Sequence, residues 1–129
     1  MLGNYIYYNT KGIQLLCSAN NNKIGDGTSN GSNYIGQSTQ SGMLIHGSGT
    51  NSNEVIGNYI GALADGSDYG NAWYGVYIYN GASLNKIGNG SAGGGNIIAW
   101  NGDSTYPDGI RVDGASTAGQ LITQNSKSV

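Results

Sequence analysis

Residues 74–88 read Tyr74-Gly75-Val76-Tyr77-Ile78-Tyr79-Asn80-Gly81-Ala82-Ser83-Leu84-Asn85-Lys86-Ile87-Gly88. Apolar residues alternate with tyrosines after Gly75, turn-forming residues follow, and a second short phrase closes on Ile-Gly. A period of two bounded by Gly, Asn and Ser is the pattern of short strands, and no helical period runs through it.

The same phrases recur in fixed order along the chain. Gly12-Ile13-Gln14-Leu15, Gly42-Met43-Leu44-Ile45 and Gly109-Ile110-Arg111-Val112 match the first, their glycines 30, 33 and 34 residues apart once Gly75 is included. Asn22-Lys23-Ile24-Gly25 and Glu54-Val55-Ile56-Gly57 match the second, and Gln120-Leu121-Ile122-Thr123 is a degenerate copy. A third phrase, Asn-x-Ile, appears as Asn4-Tyr5-Ile6, Asn33-Tyr34-Ile35, Asn58-Tyr59-Ile60 and Asn96-Ile97-Ile98.

Three short strands per repeat predict one triangular coil of an all-β solenoid, with about four coils in a single domain over residues 1–129. The residue after each repeat glycine points inward, so Ile13, Met43, Val76 and Ile110 form one core row. Leu15, Ile45, Ile78 and Val112 form a second. Alignment on the Ile-Gly pairs gives Ile24, Ile56, Ile87 and Ile122 as a third. Asn4, Asn33, Asn58 and Asn96 share a face with the isoleucines two residues on. Stacked at the strand spacing of about 4.8 Å, their amides bond one another as a structural ladder. Tyr5, Tyr34 and Tyr59 then form an outward aromatic column, with Tyr77 and Tyr79 on another face. Such rows serve either as a platform for sugar rings and lateral packing, or simply as strand-stabilising pairs.

Asn58-Tyr59-Ile60-Gly61, Tyr74 to Ile78, Gly81 to Gly88 and Ala92-Gly93-Gly94-Gly95-Asn96-Ile97-Ile98 resemble the right-handed parallel β-helix repeats of the pectin-lyase-like superfamily. The likeness is nearest to the Gly/Asn-rich arrays of prokaryotic surface proteins. It implies the right-handed β-helix fold across nearly the whole chain. It says little of function, because that superfamily contains lyases, hydrolases, epimerases, adhesins and phage fibres.

Composition narrows the field. The chain has 24 glycines, one proline and only 9% charged residues, with a net charge of -2. Its five basic residues form no cluster, which argues against nucleic acid. No apolar run approaches the roughly 20 residues of a membrane helix. Cys17 is alone and is expected to be a small buried hydrophobe.

Hydrolysis of a polysaccharide needs two carboxylates facing one bond. Asp26, Glu54, Asp65, Asp68, Asp103, Asp108 and Asp113 lie mostly in different turns, and His46 lacks a glycine before it. The nearest approach to a site is Asp108-Gly109-Ile110-Arg111-Val112-Asp113, whose Arg111 and Asp113 project outward as a solvated pair. Asp65 to Asn71 offers oxygens on a loop without the bidentate glutamate of a calcium site. Gly93-Gly94-Gly95 lies in no strand-to-helix pattern, so no phosphate cradle, cofactor or metal is expected. Asn30-Gly31-Ser32 and Asn89-Gly90-Ser91 match the N-glycosylation pattern.

The ends complete the reading. A free solenoid carries capping segments, and neither end here reads as one. The last repeat stops partway round a coil, and the first strand of another copy is expected to finish it. Leu2, Asn4, Ile6, Ile122 and Val129 are the expected junction. The function expected is therefore a non-enzymatic, extracellular or cell-surface protein that polymerises with itself head to tail. Two alternatives stand beside it: a non-catalytic carbohydrate-binding or adhesive segment that engages polysaccharide or surface glycans, and a polysaccharide lyase or hydrolase fragment.

Overall fold

A computed structural model describes residues 1–123 and Asn125. Among the described residues there is no helix, and twelve short strands follow the predicted phrases. They are β1 (Tyr5–Tyr7), β2 (Ile13–Leu15), β3 (Lys23–Ile24), β4 (Tyr34–Gly36), β5 (Met43–His46) and β6 (Glu54–Val55). Then come β7 (Tyr59–Ile60), β8 (Val76–Tyr79), β9 (Lys86–Ile87), β10 (Ile97–Ile98), β11 (Ile110–Val112) and β12 (Leu121–Ile122). Every third strand pairs in parallel, giving three four-stranded sheets in the orders β1-β4-β7-β10, β2-β5-β8-β11 and β3-β6-β9-β12. The molecule is a β-solenoid of about four coils.

Register fixes the core. Ile13, Met43, Val76 and Ile110 are Cα partners in the second sheet, as are Leu15, Ile45, Ile78 and Val112. In the first sheet Ile6, Ile35, Ile60 and Ile98 make another row. The third sheet departs from expectation. Its row is Ile24, Val55, Ile87 and Ile122, and Ile56 is not in it. The phrase Asn53-Glu54-Val55-Ile56-Gly57 is one residue longer than Asn22-Lys23-Ile24-Gly25, and the structure aligns the asparagines rather than the glycines. Ile56 takes the corner position of Gly25, where its N–H donates to the Ile24 carbonyl, and it is buried there.

Close approach between coils sets the repeat glycine. A Cβ on Gly12, Gly42 or Gly75 would lie 2.5, 2.9 and 2.6 Å from the carbonyl of the equivalent glycine one coil on. Real side chains do not tolerate that contact, so the column stays glycine. On Gly109, in the last described coil, a Cβ would meet only an isoleucine methyl at 3.4 Å.

Corners differ from coil to coil. Residues 25–33 and 88–96 form long corners between the third and first sheets, whereas β6 reaches β7 through residues 56–58 alone. The two long corners close over the short one. Gly57 has φ +65°, and a Cβ there would lie 2.7 Å from Gly27 Cα and 3.1 Å from the Gly93 carbonyl.

Cys17 is exposed, not buried. Cys17 and Ser18 both have left-handed backbones after β2 (φ 55° and 64°), in a turn where Ala19 N–H bonds the Leu16 carbonyl. That turn swings the thiol outward.

Candidate functional site

All seven acids have structural employment among the described residues. Asp26, Asp65, Asp68 and Asp103 each accept backbone N–H groups two or three residues on, which starts the inserted loops as Asx-turns. The hydroxyls of Thr28 and Ser67 bond Asp26 and Asp65 and hold both carboxyls below the usual carboxylate range. Glu54 lies 4.0 Å from Lys23 across the third sheet. Arg111 binds Asp113 at 3.0 Å and Asp108 at 3.1 Å, and the Tyr77 hydroxyl donates to Asp113. The hydrogen bond from Arg111 is the main reason that the Asp113 carboxyl is depressed. His46 stacks on Tyr79, with ring centroids 5.0 Å apart. Among the described residues no three His, Cys, Asp or Glu side chains gather as metal ligands.

The predicted tyrosine column stands on the first sheet. Tyr5 and Tyr34 stack at 4.7 Å, and Tyr34 and Tyr59 at 4.9 Å, with planes 6° apart in each pair. Stacking places ring face on ring face, so the column presents edges and hydroxyls outward. A sugar platform needs a free face. Tyr77 and Tyr79 also stack on each other, at 4.4 Å. Tyr7 lies beside this first-sheet column against Tyr69 at 4.9 Å, its hydroxyl buried without a partner, and its phenol is pushed up to about 12 chiefly by burial.

The asparagines carry a directional network. Backbone N–H and Nδ2 of Asn4 both donate to Asn33 Oδ1, those of Asn33 to Asn58 Oδ1, and those of Asn58 to Asn96 Oδ1. The second N–H of each amide turns back to the preceding coil: Asn33 to the Met1 carbonyl, Asn58 to Ile24, Asn96 to Val55. A buried rung thus has its two donors and its acceptor oxygen filled.

Two further ladders escaped sequence reading. Asn22, Asn53, Asn85 and Gln120 line the corner before the third sheet, and Asn71 and Asn101 line the corner before the second. The signal for the former was present, since Asn22-Lys23-Ile24, Asn53-Glu54-Val55 and Asn85-Lys86-Ile87 repeat the Asn-x-apolar phrase. Alignment on Ile-Gly concealed it.

All three ladders point the same way. Coil n donates and coil n+1 accepts, so the two ends of the solenoid are chemically different. Core rows differ at the ends too: Ile13 and Leu15 are 8% exposed, whereas Val112 and Ile122 are 39% and 45% exposed.

At both ends of the expected junction, rung and backbone positions already have partners within the chain. The rung above Asn96 is taken by this chain's own Asn125, whose Oδ1 accepts from the Asn96 N–H and Nδ2 at 3.1 and 2.8 Å. Asn125 follows its row residue Ile122 by three positions, as Asn58 follows Val55, so no other copy's Asn4 is required there. At the opposite end the Met1 carbonyl accepts from the Gly25 N–H at 2.8 Å, as the Ile24 carbonyl accepts from the Ile56 N–H. Met1-Leu2-Gly3-Asn4 therefore repeats the geometry of Val55-Ile56-Gly57-Asn58. Leu2 is exposed and Ile6 partly buried. Val129 lies outside the described residues.

The two glycosylation motifs sit differently. Ser91 Oγ donates to Asn89 Oδ1 at 2.6 Å in a turn on the 88–96 corner. Ser32 is buried and donates to the Thr28 carbonyl, away from Asn30.

Comparison with protein-family models, curated proteins and solved structures finds no match to this chain.

Proposed function

We propose that the protein is a structural, non-enzymatic solenoid whose copies stack head to tail into a filament or fibre, outside the cell or at its surface. In this reading it belongs with the right-handed, Gly/Asn-rich β-helices of the pectin-lyase-like superfamily. The observation that carries the proposal is the shared direction of the ladders. Among the described residues the Oδ1 atoms of Asn4 and Asn22 accept no hydrogen bond at one end, and continuing the ladder register gives the backbone N–H of Gln120 the donor position at the other. An end that donates fits an end that accepts, and like ends do not fit.

The apolar rows support the same contact, because Val112 and Ile122 lie exposed where Ile13, Leu15 and Ile24 of another copy continue their rows. Asn4 and Asn125 are equivalent rungs, so one must give way when two copies join. The Ile122 carbonyl then takes the Gly25 N–H in place of Met1. Such a contact is heterologous and does not close.

Electron microscopy of the purified chain is the test. Four coils at about 4.8 Å predict a rise of roughly 19 Å per subunit. A chain that stays monomeric at millimolar concentration, or a rise that is not a whole number of coils, overturns the proposal.

A further inference from the structure

Trp100 stands apart from the other aromatic residues. All ten tyrosines and Trp73 pack against another ring, and Trp100 has none among the described residues. It is 45% exposed and has a left-handed backbone, φ 62°. A bulky residue in that region is strained, and strain persists only where the surroundings impose it. Here the indole N–H donates to the Gly66 carbonyl at 3.0 Å, pinning the ring to the inserted loop between β7 and β8. The Trp100 carbonyl lies so close to Gly70 that no Cβ fits there.

Trp100 borders an open groove of about 420 Å³ whose lining includes Gln37, Thr39, Asp68 and Gly70. Asp68 uses Oδ1 on the Gly70 N–H, and the Gln37 amide and Thr39 hydroxyl add donors and acceptors.

We infer that this groove binds a neutral saccharide, one pyranose ring lying on the Trp100 indole with its hydroxyls reaching Asp68, Gln37 and Thr39. A fixed aromatic surface beside convergent polar groups matches a ring that is apolar on its face and hydroxylated at its edge. The lining holds a carboxylate and no cation, so acidic sugars are excluded by charge. The site lies on the side of the solenoid and does not depend on head-to-tail assembly.

The test titrates the chain with cellohexaose, mannohexaose and a galacturonate hexamer, following tryptophan fluorescence and calorimetric heat. Saturable binding of a neutral hexamer is expected, with none of the anionic one. Trp100→Asn removes the ring while relieving the left-handed strain, so thermal stability should be kept or raised as binding falls at least tenfold. Trp73→Phe should leave binding unchanged. Asp68→Asn should weaken the neutral hexamer several-fold and relax the discrimination against the anionic one. The inference is overturned if neither neutral hexamer binds at millimolar concentration, if the galacturonate hexamer binds as well, or if folded Trp100→Asn binds like the parent. Each outcome is read on monomer and filament alike, so failure here leaves the assembly proposal standing.

Discussion

Tyr7 shows how one side chain sets a limit on the fold. Its hydroxyl is buried without a partner, and burial together with the neighbouring tyrosines pushes its phenol up to about 12. In the unfolded chain a tyrosine releases its proton near pH 10. Between these values the folded state holds the proton that the unfolded state gives up. Stability is thus intact below about pH 10 and falls as pH rises toward 12. Absorbance titration should show one phenol ionising late, together with a decline in urea midpoint over that window. Tyr7→Phe should remove the late phenol and flatten the decline. At neutral pH it should be neutral or stabilising by up to about 1 kcal/mol, because an unpaired buried hydroxyl is lost. A midpoint that fell by more than this would show that the hydroxyl has a partner. None of this was legible in the sequence, where Tyr7 is one of ten tyrosines. Its burial depends on Tyr69, which an inserted loop delivers from two coils away.

At the scale of the element, the ladder rungs are unequal although their residues are identical. Asn58 Nδ2 donates to Asn96 Oδ1, the Ile24 carbonyl and the Ile56 carbonyl, while its Oδ1 accepts two bonds from Asn33. Asn58→Ala strands several buried groups, each costing about 1–3 kcal/mol, so a loss of about 3–5 kcal/mol is expected. Asn4 is exposed on the first coil and among the described residues its Oδ1 accepts nothing; Asn4→Ala should cost less than about 1 kcal/mol. Chemical denaturation of the two variants decides this, and equal losses would mean that the ladder is not a cooperative stack. Most of the strands and core rows were legible, because alternation and turn residues are local signals. The third-sheet row was not, because an extra residue at Ile56 shifts the register and only the partner strand reveals by how much. Trp100 was missed for a similar reason: what distinguishes it is the lack of a ring partner, a property of the folded surface. Cys17 was misread because nothing in Leu16-Cys17-Ser18 announces two consecutive left-handed residues.

Across the whole molecule, ladder direction makes a prediction that exposed apolar area alone does not. Apolar ends join in either orientation, whereas donor and acceptor ends join in only one. A charge placed in one terminal row blocks that end and spares the other. Val112→Lys puts an ammonium at the donor end, where the 39% exposed position lets the side chain reach water in the monomer. Asn22→Lys does the same at the acceptor end and removes an unused Oδ1. Each variant alone should be monomeric by sedimentation, since its one free end has no complementary end to meet. Mixed in equal amounts, they should form a one-to-one dimer and nothing longer, the donor end of Asn22→Lys seated on the acceptor end of Val112→Lys. A symmetric, end-to-like-end contact predicts the reverse, with Asn22→Lys dimerising by itself through its intact donor ends. Dimers in a single-variant sample, or a mixture that stays monomeric while the parent chain assembles, would show that the ladders do not direct the joint. Asn125→Ala adds a reading from the same measurement. It frees the rung above Asn96 for the Asn4 of an incoming copy, so the parent's assembly threshold should move to lower concentration.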